Sequence, residues 1–177
     1  MSRQRDPMKT PKLPPLPLLA ASMKLEGPRG MCIHRSAAFV FDVPGATMMF
    51  GTFDPIERDG GPLPGDSAVP FIHAWAEFKG FVYAPTTIER CKGQLIAQHR
   101  EGYYRVNGAR DFRILTRPQL LRLDKQVGLR RQLRLGVPLK GGASFGGTLM
   151  DAAGVDYRVT SDGGVVPSDV YEEGESA

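Results

Sequence analysis

Residues 71–84 run Phe-Ile-His-Ala-Trp-Ala-Glu-Phe, then Lys-Gly, then Phe-Val-Tyr-Ala. Two β-prone runs around a two-residue turn signal define a hairpin, and its register limits what the rest of the chain can build. Pairing Phe78 with Phe81 sets Glu77 opposite Val82, Trp75 opposite Ala84 and His73 opposite Thr86. Side chains alternate between the faces of a strand, so His73, Trp75 and Glu77 share one face. One short strand therefore carries an imidazole, an indole and a carboxylate in line.

The flanking sequence supplies partners for this hairpin. Gly27-Pro28-Arg29-Gly30 is a turn, after which Met31 to about Phe41 reads as a short helix closing before Pro44-Gly45. Thr47 to Phe53 reads as a buried strand, and the Pro- and Gly-rich residues 54–70 as a long loop. Pro85-Thr86-Thr87-Ile88-Glu89 resembles a capping box opening a helix that runs to about Gln98. Tyr103 to Val106 and Asp111 to Leu115 suggest a second hairpin around Asn107-Gly108. Thr116 then caps a leucine-rich helix, broken at Gly128 and resumed through Leu135. Lys140 to Gly147 reads as a flexible loop, and a last hairpin turns at Asp162-Gly163-Gly164. The sum is an α+β fold on an antiparallel sheet.

At 177 residues the chain is long enough for one domain with its own core. Residues 1–22 form a Pro-rich arm, expected to be extended, and residues 23–177 the single α+β domain, with a core over 23–100 and a basic extension over 101–177. Two cysteines give no disulfide framework, no apolar run reaches the roughly 20 residues that a bilayer demands, and the prolines interrupt any signal-like start. The expectation is a cytoplasmic protein without a membrane partner.

Chemistry enters through Cys32. A thiol in the first turn of a helix feels the dipole of that helix, with Arg29 and Arg35 close in sequence. The backbone N–H groups there can stabilise an oxyanion, and His73 can take the thiol proton and return it to a leaving group. Most free cysteines are small buried hydrophobes, and most lone histidines are satisfied core residues. It is the pair that points to nucleophilic catalysis. Trp75, on the His73 face, and Arg35, near the thiol, are the candidate substrate contacts. No cofactor is implied. Cys32, His34, Cys91 and His99 could in principle bind zinc, but their spacing matches no familiar ligand pair.

The residues Cys32-Ile33-His34-Arg35-Ser36-Ala37-Ala38, Met49-Phe50-Gly51 and His73-Ala74-Trp75-Ala76-Glu77, with Gly80 and Val82, resemble the transglutaminase-like cysteine proteases. The likeness is nearest to the leader peptidases of lasso-peptide biosynthesis and spans residues 28–87. It implies a papain/transglutaminase-like core in which a cysteine-bearing helix packs on the sheet, with Cys32 as nucleophile and His73 as base. Its implied activity is a cysteine-dependent hydrolase or acyl transferase acting on a peptide or protein amide. The departure from the family is Ala84, at the place where such proteins carry the Asp that orients the histidine. Thr86, or Glu77 from the same strand, is then expected to substitute.

Charge offers an alternative from another class. Eleven basic residues between Arg100 and Lys140 face three acids, a net +8 in a chain of net +4. Arg113, Arg117, Arg122, Arg130, Arg131 and Arg134 would then contact nucleic acid or an acidic protein partner, in a non-catalytic binding module.

Overall fold

The computed structural model describes residues 9–22, 31–54, 69–84, 97–161 and 163–170. Four antiparallel pairings join five strands in the order β4-β3-β2-β1-β5, where β1 is Thr47–Phe53, β2 Phe71–Phe78, β3 Phe81–Tyr83, β4 Ala97–His99 and β5 Arg110–Thr116. The β2–β3 hairpin has the expected register, with Phe78 opposite Phe81, Glu77 opposite Val82 and Ala76 opposite Tyr83. Lys79 and Gly80 both adopt positive φ, 50° and 80°, as a two-residue turn matched to strand twist requires.

Alternation along these strands creates two different interiors. Met48, Phe50, Ala74, Ala76, Tyr83 and Leu115 point to one face and join the main hydrophobic core. Helix α2 (Met31–Asp42) covers that face, burying Ala37, Ala38, Phe39 and Val40. Small alanines on both sides let the helix approach β2 closely. Helices α4 (Arg117–Val127), α5 (Leu129–Leu135) and α6 (Phe145–Ala153) complete the layer through Leu120, Leu129, Leu133, Phe145, Leu149 and Met150. A small β6–β7 hairpin (Tyr157–Val159, Val165–Pro167) packs beside them. The opposite face holds Met49, Phe53, Trp75, Val82 and Ala84, and is covered by Tyr103 from α3 (Arg100–Asn107).

Helix α4 begins as its sequence dictates. The Thr116 side chain and the Gln119 side chain cap each other's backbone, and proline stands within the first two helical positions. Gly128, at φ 85°, ends α4 in the left-handed region, and α5 follows at once.

Three expectations fail for identifiable reasons. Tyr103 to Val106 is helical, because Gly108 (φ 56°) terminates α3 instead of turning a hairpin. Phe145–Ala153 forms α6, which begins inside the stretch from Lys140 to Gly147 expected to be a flexible loop: the Ser144 hydroxyl accepts the Gly147 N–H as an N-cap. The arm is not extended throughout. Pro17–Ser22 forms α1, and its N-terminal amides Leu18 and Leu19 donate to the Asp42 carboxylate at 3.0 and 3.4 Å. Leu18 and Leu19 join the main core, so the arm is tied to the domain. The expected helix from Thr86 to Gln98 lies largely outside the described residues, and Ala97 and Gln98 belong to β4.

Candidate functional site

Cys32 occupies the second position of α2, in the first helical turn, as expected. Its sulfur meets the backbone N–H groups of Ala74, Ile33 and Cys32 itself. Ala74 stands two residues beyond Ala76, the last β2 residue paired with β3, and it adjoins His73. The thiol therefore sits at the rim of the sheet where the two layers meet. The residue as a whole is half-buried, but its sulfur is enclosed, and burial raises its pKa. The three amides and the charge of Arg35 oppose that rise without cancelling it. The thiol is held protonated at neutral pH, contrary to the expected activation by the helix end.

His73 lies on the aromatic face of β2, at 6% exposure. Its ring stacks on Trp75, with centroids 6.3 Å apart and planes 18° from parallel, and packs against Phe53 at 4.8 Å. Burial alone depresses its pKa to about 4. The imidazole is thus neutral at physiological pH. A neutral imidazole is the form in which histidine can accept a proton.

The linkage has a definite sign. With its folded pKa depressed, His73 contributes stability that is complete above about pH 6.5 and lost as pH falls toward 4. The loss expected is on the order of 3 kcal/mol. Urea unfolding at about pH 7.5 and 4.5 should show it. His73→Gln, which cannot titrate, should flatten the slope by that amount, the carboxylate contribution being common to both proteins.

Trp75 and Arg35 are buried, at 0% and 7% exposure, so neither presents the substrate surface expected of it. Trp75 instead stands beside His73 on the same strand face, its ring nearly parallel to the imidazole. Gly51, opposite His73 in the register, makes room for it: a Cβ there would meet the indole Cη2 at 2.8 Å and the Arg110 carbonyl at 3.0 Å. Glu77, 8% exposed, does not act as the expected orienting carboxylate for His73. Its Oε1 accepts the Trp75 Nε1–H at 3.0 Å and the Tyr104 hydroxyl, and its Oε2 lies 3.6 Å from the Arg100 guanidinium. Ala84, buried at 3%, places a methyl group in the same aromatic layer. Thr86, the other candidate partner for His73, lies outside the described residues.

The structure adds Tyr103, which the sequence reading placed on a strand. Its ring packs against Phe53 at 5.8 Å and Trp75 at 5.9 Å. Burial, reinforced by the neighbouring Cys32 and Tyr104, raises its pKa and keeps the phenol protonated. Tyr103 thus links the thiol electrostatically to the layer that holds His73. The signals for α3 were present in Glu101 in the first turn, Arg105 in the last and Gly108 beyond it.

The basic residues do not form one surface. Those on α3 lie on the opposite side of the sheet from α4 and α5, so the net charge of the segment is divided. Several are also committed internally. Arg117 donates to the Phe41 carbonyl at the end of α2, and Arg113 to the Gly154 carbonyl. Arg130 pairs with Asp124 at 2.6 Å and lies over the Phe41 ring. Arg122, Arg131 and Arg134 remain exposed on α4 and α5, with Arg134 acting electrostatically on Asp42. Among the described residues, no cluster of three or more His, Cys, Asp or Glu could hold a metal ion, and no helix is long and apolar enough to cross a membrane.

No protein-family model, no curated protein and no solved structure matches the chain.

Proposed function

We propose that this chain is a cysteine-dependent hydrolase or acyl transferase of peptide or protein amides, with a transglutaminase-like core and a weakened base. Carrying this reading is the seat of the Cys32 sulfur: the first turn of α2, against the N–H of Ala74, the residue that adjoins His73 on β2. In this reading the same amides are the donors offered to the oxyanion. In the reaction, the Cys32 thiol gives its proton to neutral His73 as sulfur bonds to the amide carbon. The carbonyl electrons move to oxygen and return as the C–N bond breaks. The amine leaves with the proton that His73 held, and the acyl group remains on sulfur as a thioester. Water or a second amine then releases it by the same steps.

The missing Asp sets the expected efficiency. With a protonated thiol, a neutral imidazole and alanine at position 84 where the family carries its Asp, attack and proton transfer are concerted in this reading. Loss of the third member of such a site costs orders of magnitude without abolishing the chemistry. The reading is tested with an activated acyl donor such as p-nitrophenyl acetate and intact-protein mass spectrometry. One acetyl group should accumulate, map to Cys32 and disappear in Cys32→Ala. Equal acetylation of the wild type and Cys32→Ala would overturn it.

A further inference from the structure

We infer that Glu77 is a positioning residue that acts on His73 through Trp75, doing by stacking what an orienting carboxylate does by hydrogen bonding. This rests on the reading of Cys32 and His73 as nucleophile and base. Four observations carry it. The Trp75 Nε1–H donates to Glu77 Oε1 at 3.0 Å, within a fully buried indole. At the other end of that indole, Gly51 leaves a notch that any Cβ would fill, since it would lie 2.8 Å from Cη2. The indole face lies nearly parallel to the imidazole, 18° apart at 6.3 Å. Glu77 is itself fixed by the Tyr104 hydroxyl and by Arg100 at 3.6 Å, both from α3.

The arrangement is a chain of constraints. Helix α3 fixes the carboxylate, the carboxylate fixes the rotation of the indole, and the indole limits the plane in which His73 can lie. A buried carboxylate with partners on both oxygens is costly to leave half-satisfied, which makes the Glu77 position stiff. The ring of His73 is held between Trp75 on one side and Phe53 at 4.8 Å on another. Aromatic neighbours with centroids 4.5–7 Å apart set relative orientation as well as burying area. The Ala84 side chain, a methyl group, offers no carboxylate to the imidazole. The ring contacts to Trp75 and Phe53 are the restraint to which the positioning role is assigned.

The experiment measures alkylation of Cys32 by iodoacetamide at about pH 6, where assistance by a base dominates the rate, in wild type, His73→Ala, Glu77→Ala, Glu77→Gln and Trp75→Phe. Trp75 is the only tryptophan in the chain, so its emission reports the indole environment directly. Glu77→Ala should shift that emission and slow alkylation about 10-fold, the scale of a small misplacement at a reacting centre. Glu77→Gln keeps an acceptor for the indole N–H and should stay within about 3-fold of wild type with unshifted emission. Trp75→Phe keeps a ring beside His73 but offers no N–H to Glu77. It should lose the same factor as Glu77→Ala, and it serves if Glu77→Ala does not fold. A rate slowed by His73→Ala but unchanged in Glu77→Ala or Trp75→Phe overturns the positioning role alone. A wild-type rate that His73→Ala leaves unchanged removes the Cys32–His73 reading and the positioning role with it.

Discussion

Replacing Trp75 with alanine should cost about 3–5 kcal/mol of stability, enough to leave the chain largely unfolded if its total lies at the low end of the usual 5–15 kcal/mol. The indole is fully buried and contacts Phe53, His73, Tyr103, Tyr104 and Phe112 across the aromatic layer. Its removal leaves a cavity that the surrounding sheet cannot close, because β1 and β3 are fixed on either side of β2 by ladder hydrogen bonds. It also takes one donor from the buried Glu77 carboxylate, which then keeps Tyr104 and Arg100 among the described residues. Trp75→Phe retains most of the volume and should cost less than half as much. Guanidinium unfolding of both variants checks this, and a loss below about 1 kcal/mol in Trp75→Ala would mean that the layer repacks freely.

The same layer shows what could be read from the sequence. The β2–β3 hairpin was legible in its turn and in its register over Ala76–Phe78 and Phe81–Tyr83, because a strict two-residue period and a Lys-Gly turn act over fewer than about 15 residues. The helix carrying Cys32 and strand β1 were legible for the same reason: each is bounded by glycine and proline on its own stretch of chain. The elements that were misread depend on partners far away in sequence. Helix α1 looks like an extended Pro-rich arm until Asp42, 24 residues on, takes its first amides. Helix α3 competes with a hairpin reading because Asn107-Gly108 serves equally well as a turn or as a helix end. The assembly of Glu77 with Trp75, Tyr104 and Arg100 depends on where α3 lands on the sheet, which no local pattern encodes.

Of the candidate site, the positions of Cys32 and His73 in their elements were legible and their protonation states were not. Cys32 and His73 stood out by their positions on a helix start and a strand. Burial then decided how each behaves. It raises the thiol pKa above its usual value and lowers that of the imidazole to about 4, so both groups are neutral where a transglutaminase-like site would favour the ion pair. Desolvation of this kind depends on the enclosing residues, Phe53 and Tyr103 among them, and so on the tertiary fold.

The pH dependence of Cys32 alkylation is the most direct measure of whether these two neutral groups work together. Iodoacetamide reacts with the thiolate, so an isolated thiol of raised pKa should react slowly at neutral pH and gain about tenfold per pH unit. A neutral imidazole within reach changes that form, since it removes the proton during attack. Wild-type protein should therefore alkylate at a nearly constant rate from about pH 5 to 8, falling only as His73 protonates near 4. His73→Ala and His73→Gln should lose the plateau and react about 100-fold more slowly at about pH 6, the lower end of what base assistance contributes. Peptide mapping of the Cys32 adduct at a series of pH values gives both curves. A plateau that vanishes with His73 is the result predicted; superimposable curves, each rising tenfold per pH unit, would show that Cys32 is a buried structural thiol and that His73 is not its base.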